Sequence, residues 1–112
     1  TAFEILHKGA MVMKIDVNQK IKTLEGGFFK DGDGVTDITL KKVLVRALVL
    51  AHTSDEKLSG DEKFNYYKLA MKITDADGEI DVTPEEIIIL KKRVGLMYAT
   101  QMVGPVFMIL NG

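Results

Sequence analysis

The sequence predicts an α+β fold, predominantly helical, with about four helices and a small N-terminal β-hairpin or short β-sheet. Three observations carry that expectation. Residues 13–18 alternate, with Met13, Ile15 and Val17 apolar and Lys14, Asp16 and Asn18 polar, which is the period of a half-buried strand. Further on, apolar residues recur at helical spacing in four segments, each preceded by a Ser or Thr that can cap it. Among these segments the pattern D-x-D-G-x-x-D-[I/V]-T occurs twice, at 31–39 and at 75–83, and each copy runs straight into an apolar stretch. A chain of 112 residues has room for one core, and 46% hydrophobic with 28% charged residues is the balance of a folded domain.

At the N-terminus, Lys8-Gly9-Ala10 precedes Met11 and Met13, as it would if a purine-rich ribosome-binding site had been translated in frame. Residues 1–12 are therefore expected to be a leader or an expression remnant outside the fold, and residues 13–112 a single globular domain. The alternation of Phe3, Ile5 and His7 favours the other reading, an ordinary first strand. After the strand at Met13–Val17, Ile21 and Leu24 suit a second strand or a turn of helix, which Gly26-Gly27 ends. Phe28 and Phe29 are expected to anchor in the core, and Lys30–Gly34 is turn chemistry. Each repeat then supplies an Asp-Gly turn, a short strand (Val35–Ile38, Glu79–Val82) and a Thr that starts a helix. The two strands would pair with each other or with Met13–Val17.

Thr39 caps a helix to about His52, with Leu40, Val43, Leu44, Ala47, Leu48 and Ala51 as its inner stripe. Val45, Val49 and Leu50 lie outside that stripe, so this helix must be central or covered by a partner. Ser59 and Glu62 form a capping box for the second helix, with Phe64, Tyr67, Ala70 and Met71 expected inward and Glu62, Asn65, Lys68 and Lys72 outward. The third has the best-specified start: Thr83 as cap, Pro84 at the first helical position, Glu86 closing the box, and Val82 with Ile87 placed as a hydrophobic staple. Its core stripe is Ile87, Leu90, Val94 and Met97, flanked by Ile88 and Ile89. From Leu96 to Gly112 there is no charged residue. Thr100 would cap a last helix reaching Leu110, interrupted at Pro105.

Composition excludes several functions. Fifteen basic against sixteen acidic residues leave no field for nucleic-acid binding, and the clusters Lys41-Lys42-Arg46 and Lys91-Lys92-Arg93 read as solvated stripes. The absence of cysteine removes disulfide scaffolds, thiolate nucleophiles and zinc ribbons. No segment has the build of a signal peptide, and the uncharged C-terminal stretch is too short and interrupted for a membrane span. The repeats suggest calcium loops, but with Gly34 or Gly78 as the sixth position, Phe29 or Ile73 occupies the first and Leu40 or Pro84 the twelfth. Losing the bidentate twelfth ligand leaves at most a low-affinity calcium-binding module. For catalysis there are two histidines; His52 near a helix C-terminus suits the helix dipole, and Ser54 and Ser59 lie in turn or cap contexts. No enzymatic activity, no cofactor and no metal are expected.

Several stretches resemble a set of small tailed-bacteriophage (prophage) proteins: Met13-Lys14-Ile15-Asp16-Val17-Asn18-Gln19, Ile38-Thr39-Leu40-Lys41-Lys42-Val43-Leu44, Lys57-Leu58-Ser59-Gly60-Asp61-Glu62-Lys63, and Ile80-Asp81-Val82-Thr83-Pro84-Glu85-Glu86-Ile87. Tyr98 followed by Val103-Gly104 and an apolar helix fits the same set, so the likeness covers nearly all of 13–112. Members often have no assigned function, and some are similar to tail-assembly chaperones, small helical proteins that bind the tape-measure or tail-tube protein before the tail polymerises. Pro105 departs from the continuous last helix expected of them. The resemblance implies a non-catalytic protein of the bacterial host cytoplasm that binds another phage structural protein or itself, in virion assembly, with no small-molecule substrate, nucleic acid or membrane. On this chain the candidate contact residues are Met97, Met102, Val106, Phe107, Met108 and Leu110, an apolar and methionine-rich set. The alternative is a small regulator that binds a host protein through the two basic clusters.

Overall fold

The alternating segment forms β2 (Met11–Asp16), the middle strand of a three-stranded antiparallel sheet in the order β1-β2-β3. The computed structural model describes residues 3–5 and 11–112. On one side β1 (Phe3–Ile5) pairs with β2 in the register Phe3↔Met13. On the other, β3 (Glu79–Val82) pairs Met13↔Val82 through Asp16↔Glu79. Seven of the twelve residues expected as a leader, His7 among them, lie outside the described residues; Phe3–Ile5 and Met11–Val12 belong to paired strands. Met13, Ile15 and Val17 are fully buried on one face of the sheet, as period-two alternation requires.

The helices are α1 (Leu40–Val49), α2 (Gly60–Thr74), α3 (Pro84–Met97) and α4 (Thr100–Leu110), with a 3₁₀ turn at Thr53–Lys57. The fold is α+β and predominantly helical. α1 is the central element: α2 and α3 both pack on it, and α4 packs on α3. Leu40, Val43, Leu44 and Ala47 are inaccessible to solvent, whereas Ala51 lies beyond the helix and is exposed. The orphan amides of its first turn are all satisfied. Leu40 donates to the Gln19 carbonyl (2.8 Å), Lys41 to that of Val17 (2.8 Å), Lys42 to Thr39 Oγ1 (3.4 Å) and Val43 to the Thr39 carbonyl (3.2 Å).

Both predicted capping boxes form, at Ser59/Glu62 and at Thr83/Glu86, and Val82 and Ile87 are both buried as a staple. α4 differs from its expectation: Ala99 is the N-cap with no side-chain bond, and Thr100 is the first helical residue. Pro105 sits inside the helix and has no N–H for the carbonyl of Gln101, a residue that is itself exposed.

Two helical faces also differ. α2 turns Tyr66, Leu69, Ala70 and Ile73 to the core and leaves Phe64, Tyr67 and Met71 about half exposed. Two apolar stripes of helical spacing compete on this helix, and the one with Leu, Ile and a small Ala for close approach to α1 buries the more aliphatic surface. On α3, Ile88 is exposed and Met97 half-buried, while Arg93, expected in a solvated stripe, is 2% exposed. The segment Val35–Ile38 is no strand: ladder pairing in residues 20–39 is limited to the isolated bridges Lys20↔Thr39, Lys22↔Phe28 and Lys30↔Asp37. Phe28 accordingly lies at the surface under Lys20, and only Phe29 packs against the core.

Arg93 enters the core to close the C-terminal end of α1. Its Nε donates to the Ala47 carbonyl (2.8 Å) and its Nη2 to that of Leu50 (3.0 Å), two acceptors that α1 leaves open at its end. The same guanidinium forks onto Asp55, at 2.6 Å and 3.3 Å, and its Cζ lies 5.3 Å from the centre of the Tyr66 ring. Asp55 in turn accepts from the His52 amide (2.9 Å). One side chain of α3 thus joins α1, the 3₁₀ turn and α2. Arg93→Met would leave two carbonyls and a carboxylate without their donor, so urea unfolding is expected to show a loss on the order of 3 kcal/mol. Arg93→Lys should recover little of it, because a single ammonium cannot reproduce the fork. A loss within the range of ordinary surface changes, below about 0.5 kcal/mol, would show that the buried arginine is not holding these elements together.

Candidate functional site

The first acidic repeat builds a turn whose carboxylates are engaged, and the second a turn held mainly through its backbone. In the first, Gly34 adopts φ +71°, which closes the turn, and Asp33 accepts the amides of Val35 (2.9 Å) and Thr36 (2.8 Å). Asp31 takes Lys42 (2.8 Å) and Arg46 (2.9 Å) from α1, and Asp37 takes Lys20 (3.0 Å) and Lys30. In the second copy Asp75 is the C-cap of α2, Gly78 has φ +97°, and its carbonyl accepts the Val17 amide (3.0 Å). Asp77 accepts from Asn18 Nδ2 (3.2 Å), and Lys41 Nζ donates to the Ala76 carbonyl, so the helix after the first repeat holds the turn of the second. Among the described residues no three histidine or acidic side chains converge as a ligand set.

The residues weighed for nucleophilic chemistry also have structural partners. His52 lies two residues past the C-cap of α1 and caps the 3₁₀ turn, its Nδ1 accepting the Ser54 amide (3.0 Å). Ser59 Oγ accepts the Glu62 amide (3.1 Å). The basic clusters are likewise engaged: Lys42 and Arg46 by Asp31, Arg93 in the core, and Lys91 by Asn111 Oδ1 (2.7 Å) and over the Phe107 ring.

The C-terminal residues divide between core and surface. Val106 and Leu110 are buried, Met102 and Phe107 pack against the core from α4, Met97 is half-buried at the end of α3, and Met108 is 78% exposed. Phe107 lies over Gly95, 3.7 Å from where a Cβ would stand, which with Lys91–Asn111 fixes α4 on α3. On the outer side of α4, Gln101, Gly104 and Met108 are exposed and Pro105 is half-buried. Facing them is the tip of the 20–29 segment, where Thr23 and Gly27 pair (2.9 Å) and Gly26 turns at φ +95°. That tip projects Leu24, 92% exposed, and the two sides enclose an open hollow of about 510 Å³ in which Lys22 is the only charged lining residue. Leu24, Gly104 and Pro105 were not among the sequence candidates. The sole signal for Leu24 was its place just before Gly26-Gly27, where a turn tip exposes whatever it carries. A concavity whose surface is mostly apolar gains by burying part of another molecule. No helix among the described residues is long and apolar enough to cross a membrane.

The engaged carboxylates make stability depend on pH. Arg46 first, then Lys42, hold Asp31 well below its ordinary value of 3.8; Thr36 lowers Asp33, Lys30 lowers Asp37, Arg93 lowers Asp55, and the Ser59 amide lowers Glu62. A depressed folded-state pKa means that the unfolded chain binds the proton first on acidification. The contribution is therefore complete above the range where free carboxylates titrate, about pH 4, and is lost as the pH falls through it toward the folded values. A Tm series should be level from neutrality to about pH 5 and drop below about pH 4, with a shallower drop for Asp31→Asn. A Tm that rises on acidification would contradict the ion pairs.

No family model, curated protein or solved structure matches this chain.

Proposed function

We propose that this chain is a non-catalytic phage or prophage protein of the host cytoplasm that acts by binding another phage structural protein during virion (tail) assembly. The observation that carries the reading is the hollow between the Leu24 tip and the outer face of α4. It combines two of the most exposed large apolar side chains, Leu24 and Met108, with a backbone that Gly104 and Pro105 leave uncovered. An apolar segment of the partner would bury both side chains, and an unbranched methionine adapts to the shape it meets. The setting in tail assembly comes from the resemblance of residues 13–112 to small tailed-phage proteins. Self-association through the same hollow is the other use of this surface.

Burying two such side chains contributes about 1.5–3 kcal/mol each, enough to govern a micromolar contact. Leu24→Glu with Met108→Glu, both at exposed positions, should leave the melting temperature nearly unchanged. Recovery of co-expressed tail-tube or tape-measure protein on the tagged chain should fall at least tenfold. Equal recovery by wild type and variant would remove the hollow from the function. A concentration-dependent dimer in sedimentation, abolished by the same two changes, would instead assign the surface to a second copy.

A further inference from the structure

The outer face of α2 carries a row of exposed apolar side chains, none of which lines the α4 hollow. Phe64, Tyr67 and Met71 recur at i, i+3 and i+7 and are 58%, 58% and 48% exposed, an apolar ridge on the side of α2 away from the core stripe. At 100° per residue, Lys63 and Lys68 fall on opposite sides of this ridge. From Lys63 to Thr74 the helix has three lysines and no carboxylate. Lys72 is tied to Glu86 (2.9 Å), but Lys63 and Lys68 enter no ion pair among the described residues, and Lys68 lies over the Phe64 ring at 5.0 Å.

The ridge is bordered by a hollow on each side. One, about 310 Å³, lies between α2 and the end of α1 and includes Lys63 and Tyr67 in its lining. The other, about 410 Å³, lies between α2 and α3 with Leu69 and Ile89 in its lining and Lys68 on the α2 side. The carboxylates in the two linings, Asp55 and Glu86, are already paired with Arg93 and Lys72, which leaves Lys63 beside one hollow and Lys68 beside the other. Two such hollows suit side chains of a peptide, whereas a bilayer surface would leave both unfilled. A second copy docking antiparallel by the same face, about a two-fold axis near residue 68, would bring Lys68 toward its own equivalent, a like-charge contact.

We infer that α2 docks an acidic amphipathic helix of another protein, its apolar residues on the Phe64–Tyr67–Met71 ridge and its carboxylates on Lys63 and Lys68. The test is selection of a displayed random 16-residue peptide library against the full chain, followed by titration of enriched peptides. Enriched sequences should carry apolar residues at helical spacing flanked by Asp or Glu, bind more weakly as salt is raised, and shift the backbone amides of residues 63–72. The double variant K63E/K68E, checked for an unchanged melting curve, should bind them at least tenfold more weakly, while L24E/M108E binds them normally. Enrichment of peptides without carboxylates, loss of binding in L24E/M108E instead, or no enrichment at all would overturn the assignment. So would sedimentation of the protein with phosphatidylserine-containing vesicles that requires Lys63 and Lys68 while the peptides leave residues 63–72 unshifted.

Discussion

The arrangement of the helices depends on one buried cation. Burying the Arg93 guanidinium is costly unless the hydrogen-bonding needs of its nitrogens are met. They are met only when the end of α1, the 3₁₀ turn and α2 stand in their native positions, since Ala47, Leu50, Asp55 and Tyr66 belong to those three places. The apolar core alone tolerates alternative packings of similar volume. A guanidinium fork with fixed acceptors does not, so the same contact that closes α1 also selects one relative placement of α1, α2 and α3.

How much of this was legible depended on whether the signal was local. The capping boxes at Ser59 and Thr83, the Pro84 start and the alternation from Met13 are written within a few neighbouring residues. The helix starts form as read, and the strand spans Met11–Asp16, beginning two residues earlier than expected. The face of α2 was not legible, because Phe64-Tyr67-Met71 and Tyr66-Leu69-Ala70-Ile73 both satisfy the helical period. Only the shape of α1 decides between them. Arg93 was hidden for a different reason: after two lysines an arginine reads as surface, and its acceptors are main-chain carbonyls, which have no residue type. The first repeat predicted a strand that did not form, since ion pairs and side-chain bonds through Asp31, Asp33 and Asp37 shape that loop in place of a ladder.

For the functional surfaces the balance is similar. The uncharged C-terminal stretch marked α4, and Met108 is indeed outward, but Val106 and Leu110 share its helical period and serve the core. Leu24 lies eighty residues earlier in the chain, roughly, and nothing in its neighbourhood announces the contact surface it shares with α4. On α2 the expected inner set of Phe64, Tyr67, Ala70 and Met71 divides: Ala70 is buried, and the other three are about half exposed.

Val17 is where distant parts of the chain close on each other: its carbonyl receives the Lys41 amide and its own amide donates to Gly78. The neighbouring strand β2 takes its partner β3 from beyond α2. During synthesis from the N-terminus, β2 is made long before β3, with an unpaired edge and the apolar face of Met13 and Ile15 waiting. Native pairing therefore cannot be completed until about three-quarters of the chain has left the ribosome. Until then the nascent protein carries a sticky strand edge. Protection of that edge waits on β3, which follows only after α1 and α2.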